Sequence, residues 1–126
     1  MNTKSLVNKC LKFVDMPNGR SKHFSFIMDG NKPLSFGWNN TRKTHPRSAK
    51  FKYRFNNIHS ELDAIVNYLK IYTVEDLRKY TLVNIRLLKD KSVRLSKPCH
   101  VCDRLLDAFG IVNVLYSTDR GDFVWL

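Results

Sequence analysis

Pro98-Cys99-His100-Val101-Cys102-Asp103-Arg104-Leu105-Leu106-Asp107-Ala108-Phe109-Gly110-Ile111-Val112-Asn113-Val114-Leu115-Tyr116 is the stretch on which the fold turns. Leu105, Leu106 and Phe109 recur at helical spacing behind the two cysteines, Pro98 suits the first turn of a helix, and Gly110 is placed to stop it. Beyond the glycine, Ile111 to Tyr116 is nearly continuous in apolar residues, the pattern of a strand buried on both faces. Upstream, His59 to Lys70 carries Leu62, Ile65, Val66 and Leu69 at i, i+3, i+4 and i+7, an amphipathic helix. Leu82 to Leu88 alternates like a strand. His23 to Met28 and Leu34 to Trp38 flank the turn-rich Asp29-Gly30-Asn31-Lys32-Pro33 and predict a hairpin. Residues 4–16 predict a first helix closed by Pro17-Asn18-Gly19. Only Ser117 to Gly121 separates Tyr116 from Asp122 to Leu126, too few residues for the crossover that a parallel neighbour requires, so the last strand is expected to run antiparallel. This order predicts an α/β chain with a layered sheet.

The length of 126 residues suits one domain, residues 1–126, with a core that needs no disulfide staples. With 43% hydrophobic and 26% charged residues, the composition is globular and argues against a disordered or collagenous chain. Apolar runs fall far short of the roughly 20 residues that cross a bilayer. No secretory signal is visible at Met1-Asn2-Thr3-Lys4-Ser5, so the expectation is a cytoplasmic protein with no membrane partner. The net charge of +11 is unevenly placed: residues 1–58 hold 12 basic and 2 acidic side chains, residues 59–126 hold 10 and 9. That field favours phosphate-bearing partners, although a solvated basic surface has the same composition.

Three cysteines are an odd number, which directs attention to metal or redox chemistry before disulfides. Cys10 lies with Leu6 and Val14 at four-residue spacing and reads as a small core hydrophobe. Cys99 and Cys102 sit three apart at a helix start, where both sulfurs share one side and the helix dipole favours thiolate. Alone, Cys-x-x-Cys is equally a redox pair or an accident. The other partner is His59, at the start of the upstream helix. If the two helices pack side by side, one nitrogen and two sulfurs converge, and a tetrahedral zinc held by His59, Cys99 and Cys102 keeps a position open for water. Two thiolates cancel the charge of the ion, so a carboxylate is wanted nearby to take a proton, and Glu61 fits as general base and then general acid. Singly, His59 reads as a core histidine and Glu61 as a solvated helix-start acid; together with the cysteines the chemical reading prevails.

His-x-Glu followed by Pro-Cys-x-x-Cys resembles the signature of the zinc-dependent cytidine and deoxycytidylate deaminase superfamily, from about Phe24 to Phe123. The resemblance implies a three-layer α/β/α deaminase-like fold with a mixed five-stranded sheet, zinc as cofactor, and hydrolytic replacement of an exocyclic amine. It implies a nucleoside or nucleotide substrate of the cytidine type, with deoxycytidylate prominent. Phe36-Gly37-Trp38-Asn39 is similar to a segment of tRNA adenosine deaminases whose Asn meets the substrate, so Trp38 and Asn39 become candidate substrate contacts, the alternative being a simple turn. Ser96 corresponds to a position whose backbone carbonyl accepts from the base amino group. The short link to an antiparallel last strand resembles the cytidine deaminase, toxin and plant RNA-editing divisions more than the deoxycytidylate and tRNA deaminases, which carry another helix there, whereas tetrameric cytidine deaminases usually carry Cys where this chain has His59. Family members often form homo-oligomers, and a monomer is equally compatible.

Between the hairpin and His59, Arg42, Lys43, Arg47, Lys50, Lys52 and Arg54 occur with no acid. Lys50-Phe51-Lys52-Tyr53-Arg54-Phe55 alternates cation and ring, which in extended backbone separates them onto two sides. Cations tracking phosphates with rings stacking bases would suit single-stranded DNA or RNA; rings packed on the body with cations in water is the competing account. Arg42 and Lys43 are candidate substrate contacts, and Arg47, Lys50, Lys52 and Arg54 candidate phosphate contacts. A polynucleotide deaminase acting on cytosine or adenine is therefore a second reading, and a non-catalytic zinc-containing nucleic-acid-binding module a third.

Overall fold

The computed structural model describes residues 2–14, 21–44, 57–72 and 77–126. In chain order these form α1 (Thr3–Leu11), β1 (Ser21–Asp29), β2 (Lys32–Trp38), β3 (Asn40–Thr44), β4 (Asn57–Ile58), α2 (Ser60–Ile71), β5 (Thr81–Leu88), β6 (Val93–Arg94), α3 (His100–Ala108), β7 (Asn113–Ser117) and β8 (Phe123–Trp125). The sheet runs β2-β1-β5-β7-β8, and only β5 and β7 are parallel neighbours. These five strands, with β8 antiparallel to β7, are the mixed sheet expected. The two-residue β6 adds a sixth alongside β5, and β3 pairs with β4 in a separate small ladder.

Alternation along the central strands divides the core into two layers. Phe24, Phe26, Met28, Val83, Ile85 and Leu87 face α1, where Leu6 and Cys10 are buried. Ile27, Leu82 and Val114 face α2 and α3, meeting Leu62, Ile65, Leu105 and Leu106. Cys10 is fully buried and its thiol is pushed up to about 12 by desolvation, partly offset by Lys9.

Helix α1 is shorter than its apolar pattern predicts. Phe13 N–H closes a tight bond onto the Cys10 carbonyl at 2.9 Å, and the turn at Lys12 to Val14 places the Phe13 ring 5.6 Å from Phe36 and 5.5 Å from Trp38. The predicted closure at Pro17-Asn18-Gly19 lies outside the described residues. Asp29 and Lys32 pair across a two-residue turn whose first residue, Gly30, has φ +59, so the hairpin is as expected. Gly110 stops α3 with φ +75: its N–H donates to Asp107 and that of Ile111 to Leu106, the paired bonds of a Schellman motif. Ile111 therefore belongs to the helix stop, and β7 begins two residues later than the apolar run suggests.

Strand β2 and helix α2 approach closely at Gly37. A Cβ built on Gly37 would lie 2.3 Å from Ala64 N and 2.7 Å from the Asp63 carbonyl carbon. Side chains lock this contact: Asp63 accepts from Trp38 N–H at 3.1 Å, Asn67 donates to the Phe36 carbonyl at 2.8 Å, and Ser35 donates to the Ala64 carbonyl at 2.8 Å. Helix α2, which begins at the site, is thus fixed against the sheet by backbone contact as well as apolar burial. Among the described residues no helix is long and apolar enough to cross a membrane.

Candidate metal and catalytic site

His59 and Cys99 are the N-cap residues of α2 and α3. Both have extended backbone, which swings their side chains off the helix ends into the space between the two. Cys102 follows one turn into α3 and is buried, whereas Cys99 is exposed and His59 half-buried. One ligand atom from each of His59, Cys99 and Cys102 lies within 4.8 Å of the others, and His59 Nδ1 is 3.5 Å from Cys102 Sγ. Donors on a tetrahedral zinc at ordinary bond lengths sit roughly 3.5–3.8 Å apart. The trio therefore fits a zinc ion in donor chemistry, and the His59–Cys102 pair fits it in spacing.

Cys99 Sγ accepts from Cys102 N–H at 3.5 Å, at the positive end of α3. Its thiol is held down to about 3, first by hydrogen bonding with Cys102 and next with His59, against the opposing effect of burial. A thiolate here is the form that ligates a metal.

Glu61 lies in the first turn of α2 and is 6% exposed. Ser60 Oγ donates to Glu61 Oε1 at 2.9 Å, and the contacts continue inward: Ser25 Oγ lies 2.8 Å from Ser60 Oγ and 2.6 Å from Asn84 Oδ1. Asn84 Nδ2 donates to the Ser96 carbonyl at 3.2 Å, and Ser96 Oγ returns a bond to the Asn84 carbonyl at 2.8 Å. Ser96 N–H and the Ser117 carbonyl are joined at 2.9 Å, which pins the loop before α3 to β7. His23, on β1 beyond Ser25, is held below its ordinary value chiefly by burial, with Glu61 acting the other way and Arg86 and His59 adding to the depression.

The remaining expected contacts divide. Asn39 Oδ1 accepts from His23 N–H at 2.9 Å and Asn39 N–H donates to the His23 carbonyl at 3.1 Å, so this side chain prolongs the β1–β2 ladder and spends its acceptor there. Trp38 is not brought to the site. Its ring stacks on Phe13 and tilts against Phe36 on the α1 side, opposite α2, because a strand residue adjacent to inward-packed Gly37 must face the other way. Arg42 and Lys43 lie on β3, whose side chains fall outside what the structure describes, and Arg47, Lys50, Lys52 and Arg54 lie outside the described residues. Sequence reasoning missed Ser25, Ser60, Asn84, His23 and Arg86. For Ser25 and Asn84 the signal was present as lone polar residues inside apolar strands, in Phe24-Ser25-Phe26 and Val83-Asn84-Ile85.

No family model matches this sequence, and no curated protein matches it. Solved structures do. The deoxycytidylate (dCMP) deaminase of the cyanophage S-TIM5, in complex with dCMP and dUMP, gives a TM-score of 0.59 at 17% identity, covering 92% of this chain and 80% of that one. The apo form of that protein gives 0.56 at 18% identity, covering 94% and 86%. The chain therefore has the three-layer fold of the cytidine deaminase type.

Proposed function

We propose that this protein is a zinc-dependent hydrolytic deaminase that converts the cytosine of a (deoxy)cytidine nucleoside or nucleotide to uracil. The observation that carries the reading is the convergence of one imidazole and two sulfurs within 4.8 Å of one another, beside a buried carboxylate two residues from the imidazole. His59, Cys99 and Cys102 would hold the ion, which when bound supplies Lewis-acid activation of a water. Glu61 takes the proton released as the water oxygen adds to C4 and hands it to the departing amine. The C4–N bond breaks, ammonia leaves, and C4 keeps the oxygen. The Ser96 carbonyl retains a second lone pair beyond its bond from Asn84, so it can accept from the exocyclic amine and orient the ring. The likeness in fold to a protein solved with dCMP and dUMP supports a cytosine nucleotide over an unrelated substrate.

The charge of residues 1–58 favours a second reading, action on cytosine or adenine in single-stranded DNA or RNA, where a basic surface would track the phosphates. Both are tested by one panel: cytidine, cytidylate, deoxycytidylate, the triphosphates, and short single-stranded DNA and RNA, read by mass on metal-analysed protein. Turnover of free nucleotides without oligonucleotide binding supports the first reading, and turnover confined to oligonucleotides the second. Stoichiometric zinc with no turnover of any substrate would leave the metal a structural role and end both.

A further inference from the structure

Ser25 and Asn84 are register partners on β1 and β5, in the middle of the sheet, and both are buried. Apolar side chains are the ordinary occupants of such positions, and a hydroxyl beside an amide there stabilises nothing unless each group finds a partner. Each does, and the contacts run in one series, in which the two hydroxyl protons of Ser60 and Ser25 serve three oxygen–oxygen links. From Glu61 Oε1 the series passes through Ser60 Oγ, Ser25 Oγ and Asn84 Oδ1, then from Asn84 Nδ2 to the Ser96 carbonyl, with contacts of 2.9, 2.8, 2.6 and 3.2 Å. The two ends come from different elements: Glu61 from the start of α2, Ser96 from the loop before α3. The path through the sheet is what joins them.

We infer that Ser60, Ser25 and Asn84 act as a positioning relay that sets the Glu61 carboxylate and the Ser96 carbonyl at a fixed separation across the sheet. The inference rests on the deaminase reading, in which those two groups act on the same C4–amine unit of the substrate. Their spacing must then match a ring that is itself rigid, and a displacement of about 1 Å at a reacting group costs up to about a hundredfold in rate. A hydrogen-bonded polar cluster inside the core holds such a spacing better than apolar packing does, because its bonds are directional and the low dielectric makes each costly to break. The reciprocal pair between Asn84 and Ser96, with the amide donating to one carbonyl and the Ser96 hydroxyl to the other, fixes the far end in two directions. The three relay residues act through Glu61 and Ser96, so they are positioning residues.

The test compares the zinc-loaded parent with Ser25→Ala, Ser60→Ala, the double variant and Ser25→Thr, on whichever substrate of the panel the parent turns over fastest. The relay predicts that each alanine lowers kcat by about tenfold or more with KM changed by less than about threefold, since alignment in the reacting complex is lost before binding is. The double variant should be no slower than the worse single one by more than about twofold, because one broken link already uncouples the ends. Ser25→Thr restores a hydroxyl and should recover most of kcat. Zinc content and unfolding temperature, measured on every variant, confirm that the folded, loaded protein is being compared. Unchanged kcat in the alanine variants, losses that multiply, or a threonine variant as slow as the alanine one would each overturn the relay while parent turnover leaves the deaminase reading standing. A parent with full zinc and no turnover of any panel member overturns the deaminase reading and the relay with it.

Discussion

Gly37→Ala isolates the contact that sets where the site sits. The added Cβ would meet Ala64 N at 2.3 Å and the Asp63 carbonyl carbon at 2.7 Å, both backbone atoms that cannot swing aside. Ordinary van der Waals contact begins at 3.4 Å, so α2 must retreat from β2 by about 1 Å. Overpacking costs typically 1–3 kcal/mol where side chains can adjust. Here the retreat also stretches the bonds Trp38 to Asp63, Asn67 to Phe36 and Ser35 to Ala64, each worth about 1 kcal/mol net. A total of up to about 4–6 kcal/mol follows, or roughly 15–25 °C in unfolding temperature for a domain of this size. Thermal and urea unfolding of parent and variant measure it, with Gly30→Ala as reference. Gly30 has φ +59 but nothing within 4 Å of its would-be Cβ, so alanine there meets only backbone strain of about 1–2 kcal/mol. Because α2 carries His59 and Glu61, the folded fraction of Gly37→Ala should also bind zinc more weakly. An unfolding temperature within about 3 °C of the parent, or equal costs at the two glycines, would refute the claim that close backbone packing anchors α2.

Glu61→Ala should retain stoichiometric zinc and lose at least about a hundredfold in kcat, the scale of general acid–base catalysis, as seen by metal analysis beside the deamination assay. Cys99→Ser and His59→Ala should each lower zinc content after dialysis against a chelator, because two donors cannot complete the site that three fit. A thiol-directed alkylating reagent at pH 7 should label exposed Cys99 in metal-free protein, be blocked there by zinc, and spare buried Cys10 until the chain is denatured; peptide mass mapping reads this directly. Cys10 has its folded pKa raised from 9.0 to about 12, so the neutral thiol is favoured by folding: its contribution is fully present below pH 9 and is lost as pH rises from about 9 toward about 12. Urea unfolding of parent and Cys10→Ala at pH 8 and pH 10.5 should show the parent losing more stability over that interval.

The convergence of the metal-type donors was legible in the sequence, for a chemical reason. Thiolate, imidazole and carboxylate are scarce residue types whose spacing at helix starts carries meaning even when the intervening chain is unread, and the structure brings His59, Cys99 and Cys102 together from positions forty residues apart in sequence. Among the described residues, pattern located the three helices and the five principal strands, because each buries one stripe or face and its apolar residues must repeat accordingly. It failed where that constraint is absent. Strand β6 is two residues long, and its turn depends on Lys91 at φ +71, a conformation no side-chain pattern announces. The ends of α1 and β7 were misplaced because Phe13 and Ile111 are apolar for reasons of local packing, one against Phe36 and Trp38, the other within the stop of α3.

Trp38 shows how a motif can be read correctly for its neighbourhood and wrongly for its atoms. The Gly37-Trp38-Asn39 segment does lie beside the site, since Gly37 touches α2 and Asn39 bonds both ways to His23. Yet strand alternation commits Trp38 to the α1 face once Gly37 is committed to α2. The polar residues that do reach Glu61 are Ser60 and, through it, Ser25, which composition and hydropathy treat as ordinary. A serine or asparagine interrupting an apolar strand on its buried face must be satisfied by something, and asking what satisfies it leads from β1 to α2 and from β5 to the loop before α3. The proposed chemistry is thus written twice in the sequence: once in the metal-type donors, and once in the polar residues that the core would otherwise exclude.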